Sequence, residues 1–520
     1  MIIMKLSLLY LAVILSCCDA YKILVVYPMP SRSHGNLGDG VVRYLLADGH
    51  EITYISPFEY KSSSSKLRMV DISANIAAMP ADRLTIEAIM NKTMDFSNQG
   101  MMMYMVTEIT KLTIQNENVQ KVLNDPKEEF DLVIADWMFS DLPTGIATVL
   151  NCPFIWVTTM DVNWMILQII DGPSNPAYSA DGTSINLPPF TFWQRAMELY
   201  NQLKVNYMKY SFFNGLDKQY YDELLAPIVV KRGRQPPPFS EVQYNASLVL
   251  ANSHVSLGQS IALPQNYKPI AGYHIDEKVK PLPEDLKKIM DNSNNGVIYF
   301  SMGSSLKSKD IPTQIKTDLL KMFGEIKQTV LWKFEDDLPN KPKNVHILKW
   351  APQPSILAHP NTVLFITHGG FLSTTETIHF GVPIIGIPVF GDQFPNVARA
   401  VSKGYALKVD LSYKMAGDLK TAIEESTNNS KYTEVAKRLS FVYHDRPTTP
   451  GKELQHWVRH VIETGGAPHL RSPALSVPFY QKLYLDLLAI ILVTLLVLVK
   501  LLKCFVSRLL KKSLKKKKNN

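Results

Sequence analysis

Cysteine is nearly missing from this chain, with four in 520 residues. Cys17 and Cys18 fall in an apolar stretch at the N-terminus and Cys504 lies beyond a second apolar stretch near the C-terminus, so only Cys152 stands between them. That intervening part has no cysteine pair for an intrachain disulfide, and its stability has to come from a buried core. About 460 residues between the apolar stretches are ample for two domains. Excess positive charge is also missing where a nucleic acid would need it. The net charge is +8, yet nine of the 55 Lys and Arg lie from Lys500 onward, where no acid occurs, leaving 46 basic against 47 acidic residues. The excess belongs to the tail, so the folded part carries no nucleic-acid footprint. The order G-x-G-x-x-G is absent too. Gly35, Gly38 and Gly40 follow the first strand-like run in the wrong spacing, which leaves an NAD-type dinucleotide site unsupported.

The two apolar stretches read differently. Met1 to Ala20 has Lys5, an apolar run from Leu6 to Cys17 and a small residue at Ala20, the pattern of a secretory signal peptide cleaved after Ala20. It is too short to span a bilayer. Tyr480 to Leu502 is long enough, with Leu487 to Val499 free of charge and Asp486 placed near an interface. Basic residues after that span put the tail in the cytosol and the preceding chain in the lumen. The final Lys517-Lys518-Asn519-Asn520 resembles the di-lysine retrieval signal of endoplasmic reticulum membrane proteins, which implies a single-pass type I protein there. Asn91, Asn245 and Asn428 open short glycosylation matches that a lumenal location makes usable.

The densest stretch is Trp350 to Asn396, WAPQPSILAHPNTVLFITHGGFLSTTETIHFGVPIIGIPVFGDQFPN. Leu364 to Thr367 has the composition of a buried strand, a helix is expected over Leu372 to Phe380, and Val382 to Val389 is a second apolar run. The resulting βαβ unit favours a parallel sheet. Its strand-to-helix turn at His368-Gly369-Gly370 aims backbone N–H groups and a helix dipole at a phosphate, and the glycines allow close approach. Trp350, Gln353, Ser373, Glu376 and the pair Asp392-Gln393 surround that turn, a set suited to a nucleotide sugar. A rival reading makes Ser373 and Glu376 a capping box at the start of the helix.

Upstream, Ile23 to Tyr27 reads as a strand, Leu37 to Ala47 as a helix and Glu51 to Ile55 as a second strand, another βαβ unit. Ser33-His34 falls in the loop leaving the first strand, where α/β sheets place ligands. Phe130 to Ala135 is a further parallel-type strand with Asp136 at its C-terminal end, where it could also cap the next segment; Asp141 is a nearby competitor. Val297 to Met302 is a strand leading into Gly303-Ser304-Ser305, a second turn suited to phosphate. Pro312 to Ile326 reads as an amphipathic helix, Val330 to Phe334 as a strand and Leu454 to Ile462 as helical.

The Trp350–Asn396 window resembles the signature of UDP-glycosyltransferases, the family of animal UDP-glucuronosyl- and glucosyltransferases and plant natural-product glucosyltransferases. The likeness runs along essentially the whole chain and looks closest to insect members. It implies an α/β, GT-B architecture of two Rossmann-like domains facing across a cleft. By resemblance, Trp350 stacks on uracil, Gln353 contacts the nucleoside, and His368 with Gly370 and Ser373 holds the diphosphate. Glu376 then takes the ribose hydroxyls, Asp392 and Gln393 the sugar hydroxyls, and Ser304 a phosphate. His34 becomes the base and Asp136 its carboxylate partner. Plant members carry Asn before the motif Ser, where this chain has Leu372.

The activity implied is inverting transfer of a hexose from a UDP-sugar, with UDP-glucose favoured, to a hydroxyl of a small lipophilic acceptor in detoxification or metabolite conjugation. No D-x-D metal motif occurs, so no metal or other cofactor is expected. A non-catalytic UDP-sugar or hydrophobic-ligand binder on the same fold is the alternative, which the His34–Asp136 pair disfavours. Met101, Met102, Met103 and Met105, with Phe190, Phe192, Trp193, Tyr200, Tyr207 and Tyr210, suit either an adaptable acceptor pocket or ordinary helix core. The expected organisation is signal peptide 1–20, acceptor-binding domain 21–275, UDP-sugar-binding domain 276–445, a segment 446–479 returning to the first domain, span 480–502 and basic tail 503–520. Self-association is left open.

Overall fold

The computed structural model describes residues 20–78, 85–91, 99–172, 174–304 and 306–518, without the side chains of the last three. The expected signal peptide up to Asp19, part of the Asn91 sequon and the last two residues lie outside these. The chain divides into two compact units, 1–470 and 471–520.

Among the described residues the first unit holds two all-parallel sheets. Seven strands form the first: β1 (Lys22–Val26), β2 (Glu51–Ser56), β3 (Leu67–Asp71), β4 (Leu132–Trp137), β5 (Phe154–Thr158), β6 (Leu248–Ala251) and β7 (Tyr267–Pro269). Six form the second: β8 (Val297–Ser301), β9 (Thr329–Lys333), β10 (Val345–Leu348), β11 (Thr362–Thr367), β12 (Ile384–Gly386) and β13 (Ala406–Lys408). The strands read as near-continuous apolar runs because both faces of each sheet are covered. In β1, Leu24 and Val26 enter one core cluster while Ile23 and Val25 enter the cluster on the opposite face. In β8, Ile298 and Phe300 face one way and Val297 and Tyr299 the other.

Strand order decides where ligands sit. The first sheet runs β3-β2-β1-β4-β5-β6-β7 and the second β10-β9-β8-β11-β12-β13. Order reverses between β1 and β4, and between β8 and β11; at such a switch point the loops leaving the strands diverge and open a crevice. His34 follows β1 and Asp136 lies at the end of β4, while Ser304 follows β8 and His368 follows β11. Both expected phosphate and base positions therefore occupy switch points.

Six helices matter below: α1 (Arg32–Ala47), α2 (Gln99–Gln115), α3 (Phe371–Phe380), α4 (Gln393–Lys403), α5 (Pro450–Glu463) and α6 (Leu485–Lys518). Helix α1 begins five residues before the sequence expectation, so His34 stands in its first turn rather than in a loop. Three glycines in one stretch argue against a helix on propensity. They are accommodated because the helix packs at close range: a Cβ on Gly38 would lie 2.2 Å from the Tyr54 hydroxyl, and one on Gly40 would lie 2.9 Å from the His274 backbone. The Val382–Val389 run also falls short, with only β12 in strand form. The N–H groups of Val389 and Phe390 donate instead to Gln393 Oε1, at 2.9 and 3.1 Å.

Helix α5 packs on the first sheet's side, burying Leu454, Val458 and Val461 at i, i+4 and i+7 in the cluster that holds Ile23 and Val25. Gln455 Nε2 donates to Tyr44 O at 2.8 Å, and Arg459 pairs with Asp48 at 2.8 Å. The second unit is dominated by α6, whose Leu485–Lys515 portion is long and apolar enough to cross a membrane by length and composition. It runs straight on through the basic residues expected to form a separate tail, since Lys, Arg and Leu are all good helix formers and no Gly or Pro interrupts them. Asp486 falls in its first turn, where a carboxylate complements the helix dipole.

The two sheets are tied by a buried ion pair. Arg399 of α4 donates from Nη1 to Asp161 Oδ2 at 3.0 Å, both side chains being more than nine-tenths buried. Burial pushes the Asp161 carboxyl up from its ordinary range and Arg399 pulls it back. Removing one partner of such a pair leaves a charge without compensation. Arg399→Ala should therefore lower stability by ~3–5 kcal/mol, read from the denaturant midpoint. A change below about 1 kcal/mol would mean that Asp161 neutralises at little cost.

Candidate active site

Residues from both sheets line one cavity of ≈ 1550 Å³. His34, Ser304, Trp350, Gln353, His368, Gly370, Ser373, Glu376, Asp392 and Gln393 all line it. Asp136 does not; it sits behind His34, with Oδ2 2.6 Å from His34 Nδ1, and is only 2% exposed. Burial pushes its carboxyl up, and the imidazole opposes that shift. The second oxygen, Oδ1, is buried with no hydrogen-bond partner among the described residues. With Nδ1 committed to Asp136, His34 has Nε2 for the cavity. Asp141 is excluded as the partner, because it accepts from Trp137 Nε1 at 3.1 Å and pairs with Lys209 at 2.9 Å.

At the other end, the capping-box reading of Ser373 and Glu376 does not hold. Helix α3 has Gly370 at its N-cap with no side-chain bond, so Ser373 stands where a capping box would need its Glu and Glu376 lies a turn further on. Both meet Gln353 instead: its Nε2 lies 2.6 Å from Glu376 Oε2 and 3.2 Å from Ser373 Oγ, and Tyr299 Oη donates to its Oε1 at 3.3 Å. Trp350 is 63% exposed, leaving ring surface for stacking. Leu372, the departure from the plant pattern, lines the same cavity and packs against the first sheet's cluster.

His368 is held tightly. A Cβ on Gly303 or Gly370 would lie 2.5 Å from its ring, so these two glycines make room for the imidazole. Gly369 serves packing as well, since a Cβ there would meet Val397 at 2.4 Å. Burial and the nearby Lys333 lower the His368 pKa to about 4. It is neutral at pH 7 and offers a hydrogen bond but no charge. Lys333 is a residue that sequence reasoning missed. Its Nζ bonds Gly303 O at 3.0 Å and Glu335 at 2.8 Å and lies 5.9 Å from the centre of the Trp350 ring. The available signal was a lysine closing the buried run of β9, at the strand end where α/β sheets place ligands.

Asp392 caps α4, with Asn396 Nδ2 donating to Oδ2 at 2.9 Å; burial raises its pKa, and nearby His34 and Arg399 oppose that. Because Gln393 Oε1 is taken by two backbone N–H groups, its amide nitrogen is the group left for the cavity. The methionine expectation divides. Met102 and Met105 of α2 line the cavity with Met29, Met138, Met160 and Met165, whereas Met103 is buried in the core. The aromatic expectation fails. Phe190 is buried outside the cavity, and Phe192, Trp193, Tyr200, Tyr207 and Tyr210 are exposed, Trp193 by 75%. Their helix buries mainly Glu198 and Val205 and turns its aromatic face outward.

The His368 environment carries a pH prediction. Its folded pKa lies below the ordinary 6.5, so the unfolded chain takes up the extra proton between about pH 4 and 6.5. Its contribution to stability is full above that window and is lost as pH falls through it. Histidine-labelled protein, with His368→Gln for assignment, should show this ring titrating near pH 4 by NMR. A midpoint at the ordinary 6.5 would place the ring in water.

The family profile described as UDP-glucoronosyl and UDP-glucosyl transferase matches residues 22–520. UDP-glucosyltransferase 2 of Dactylopius coccus is 31% identical over 495 residues, 94% of each chain. UDP-glucuronosyltransferase 2B15 of Rattus norvegicus is 29% identical over 522 residues, 95% of each chain. Among solved structures, the glycotransferase of kitacinnamycin superposes with a TM-score of 0.55 at 16% identity, over 85% of this chain and 99% of its own. The glycosyltransferase VinC, solved in complex with DTDP, gives 0.54 at 16%, over 85% and 100%. These structures share the GT-B fold, two Rossmann-like domains, to which the two parallel sheets correspond. The chain belongs to the UDP-glucuronosyl and UDP-glucosyl transferase family and is a UDP-glycosyltransferase.

Proposed function

We propose that this enzyme transfers glucose from UDP-glucose, with inversion, to a hydroxyl of a small lipophilic acceptor. The observation that carries the reading is the 2.6 Å His34–Asp136 contact, on the wall of the cavity that also holds every donor candidate. His34 Nε2 takes the acceptor's hydroxyl proton, while Asp136 orients the ring and balances the imidazolium. The oxygen forms its bond to the anomeric carbon from the face opposite UDP. The carbon–oxygen bond to the β-phosphate breaks, and its electron pair leaves with UDP. Trp350 stacks on uracil, Gln353 contacts the nucleoside and Glu376 the ribose. Asp392 and the Gln393 amide take sugar hydroxyls. His368, Ser373 and Ser304 hydrogen-bond the diphosphate. Since His368 is neutral and Lys333 is paired with Glu335, charge compensation falls chiefly to the N-terminus of α3. No metal enters this scheme.

Charge supports the neutral sugar. Among the described residues, the Lys and Arg side chains lining the cavity are Arg43, Lys280 and Lys333. Arg43 and Lys280 pair with Asp276, and Lys333 with Glu335. A glucuronate carboxylate would have to compete for one of them and would face Asp392. The thioether-rich wall around Met102 and Met105 supports varied apolar acceptors, as in detoxification. For location, basic residues after the apolar part of α6 and the Lys517-Lys518 ending support an endoplasmic reticulum membrane protein with lumenal catalytic domains.

Turnover in microsomes with EDTA, phenol and steroid acceptors and each UDP-sugar in turn tests the activity. UDP release should require an acceptor and prefer UDP-glucose. His34→Ala should cut kcat by ~10²–10⁴-fold with UDP binding intact. Binding without turnover for any donor would favour the non-catalytic reading, and loss of binding would make His34 structural. Replacing Lys517 and Lys518 by Ala should release the protein from the endoplasmic reticulum; undiminished retention would remove the tail as the address.

A further inference from the structure

Among the described residues, His274 is the one cavity-lining histidine that the proposed scheme leaves idle. It follows β7 in the first-sheet half of the chain, its side chain is 3% exposed, and neither ring nitrogen has a hydrogen-bond partner among the described residues. A buried imidazole without partners is costly unless a ligand state employs it. Its Nε2 lies 3.6 Å from Oε1 of Glu376, on the opposite sheet's helix α3. A shift of about half an ångström brings that to hydrogen-bond distance. The other oxygen, Oε2, already accepts from Gln353 at 2.6 Å. A carboxylate held by one donor on each oxygen still has a lone pair on each, spaced for a vicinal diol.

The backbone at His274 is fixed by the helix that carries the base. Arg43 of α1 donates to the carbonyls on either side of it, Tyr273 O at 2.9 Å and Ile275 O at 3.4 Å. Gly40 of the same helix admits its Cα at a range no side chain would allow. We infer that His274 is a donor-positioning residue, reaching across the cleft to hold the Glu376 carboxylate in the orientation that accepts the ribose hydroxyls. Through α1, the same contact sets His34 against the bound nucleotide. This rests on the reading of Glu376 as the ribose ligand.

The test is calorimetric affinity of the full-length enzyme for UDP and for 2′,3′-dideoxy-UDP, in wild type, His274→Ala, His274→Gln and Glu376→Ala. His274→Ala should weaken UDP roughly tenfold, about the worth of one hydrogen bond to a charged group, and leave the dideoxy nucleotide within about twofold. The amide of His274→Gln also donates and should restore most of the loss. In turnover, KM for the donor should rise more than kcat falls. Equal weakening of both nucleotides, or of neither, by His274→Ala overturns the inference. If Glu376→Ala also fails to distinguish the two nucleotides, the ribose reading falls with it; if Glu376→Ala does distinguish them, the inference falls alone.

Discussion

A carboxylate buried within a parallel sheet is the constraint on which this structure turns. Asp136 has one oxygen on His34 and the other without a partner among the described residues, an expensive arrangement for a group whose burial already favours the neutral acid. In the proposed scheme that cost has a use, because an imidazolium forming on the other side of the contact would be stabilised in the same low dielectric. The surrounding features keep the contact short. The switch point between β1 and β4 puts the two residues on adjacent strand exits. Close glycine packing draws α1 down onto the sheet.

The donor half repeats the geometry with different chemistry. The switch between β8 and β11 brings Ser304 and His368 together, as the first switch brings His34 and Asp136 together. Here the central imidazole is kept neutral by its burial between two glycines and, in second place, by nearby Lys333. In the proposed scheme one histidine takes a proton and the other stays neutral. A base must change charge during the reaction, whereas a diphosphate ligand that titrated near neutral pH would make nucleotide affinity drift with conditions.

Much of this was legible in the sequence, because strands buried on both faces leave unbroken apolar runs such as Leu132–Trp137 and Phe154–Thr158. The candidate site residues came from one window and three strand exits, those of His34, Asp136 and Ser304, and their separate roles came from the family resemblance. What was not legible depended on tertiary contacts. The start of α1 was hidden because its glycines count against a helix until Tyr54 and His274 are seen against them. Ser373 and Glu376 fit a capping box until Gln353 appears across the turn. Lys333 and His274 carry no motif at all, and matter only because two separate sheets face one cavity. The aromatic run from Phe192 to Tyr210 read as pocket or core, yet the helix that carries most of it fully buries only Glu198 and Val205.

The proposed acceptor end follows a logic opposite to that of the His34–Asp136 pair. The reacting groups are held by short contacts and packed glycines, whereas Met29, Met102, Met105, Met138, Met160 and Met165 line the space where an acceptor would lie. Each thioether has several rotatable bonds and reshapes at little cost, so the wall can close on apolar bodies of different outline. Rate is sensitive to an error of an ångström at the base. Apolar burial is not, since it scales with area whatever the shape. On the proposed function, a rigid base facing a deformable wall would confine the strict geometric demand to one hydroxyl and one anomeric carbon. The remainder of the acceptor would contribute binding without dictating the chemistry, so the proposed mechanism could serve many lipophilic molecules.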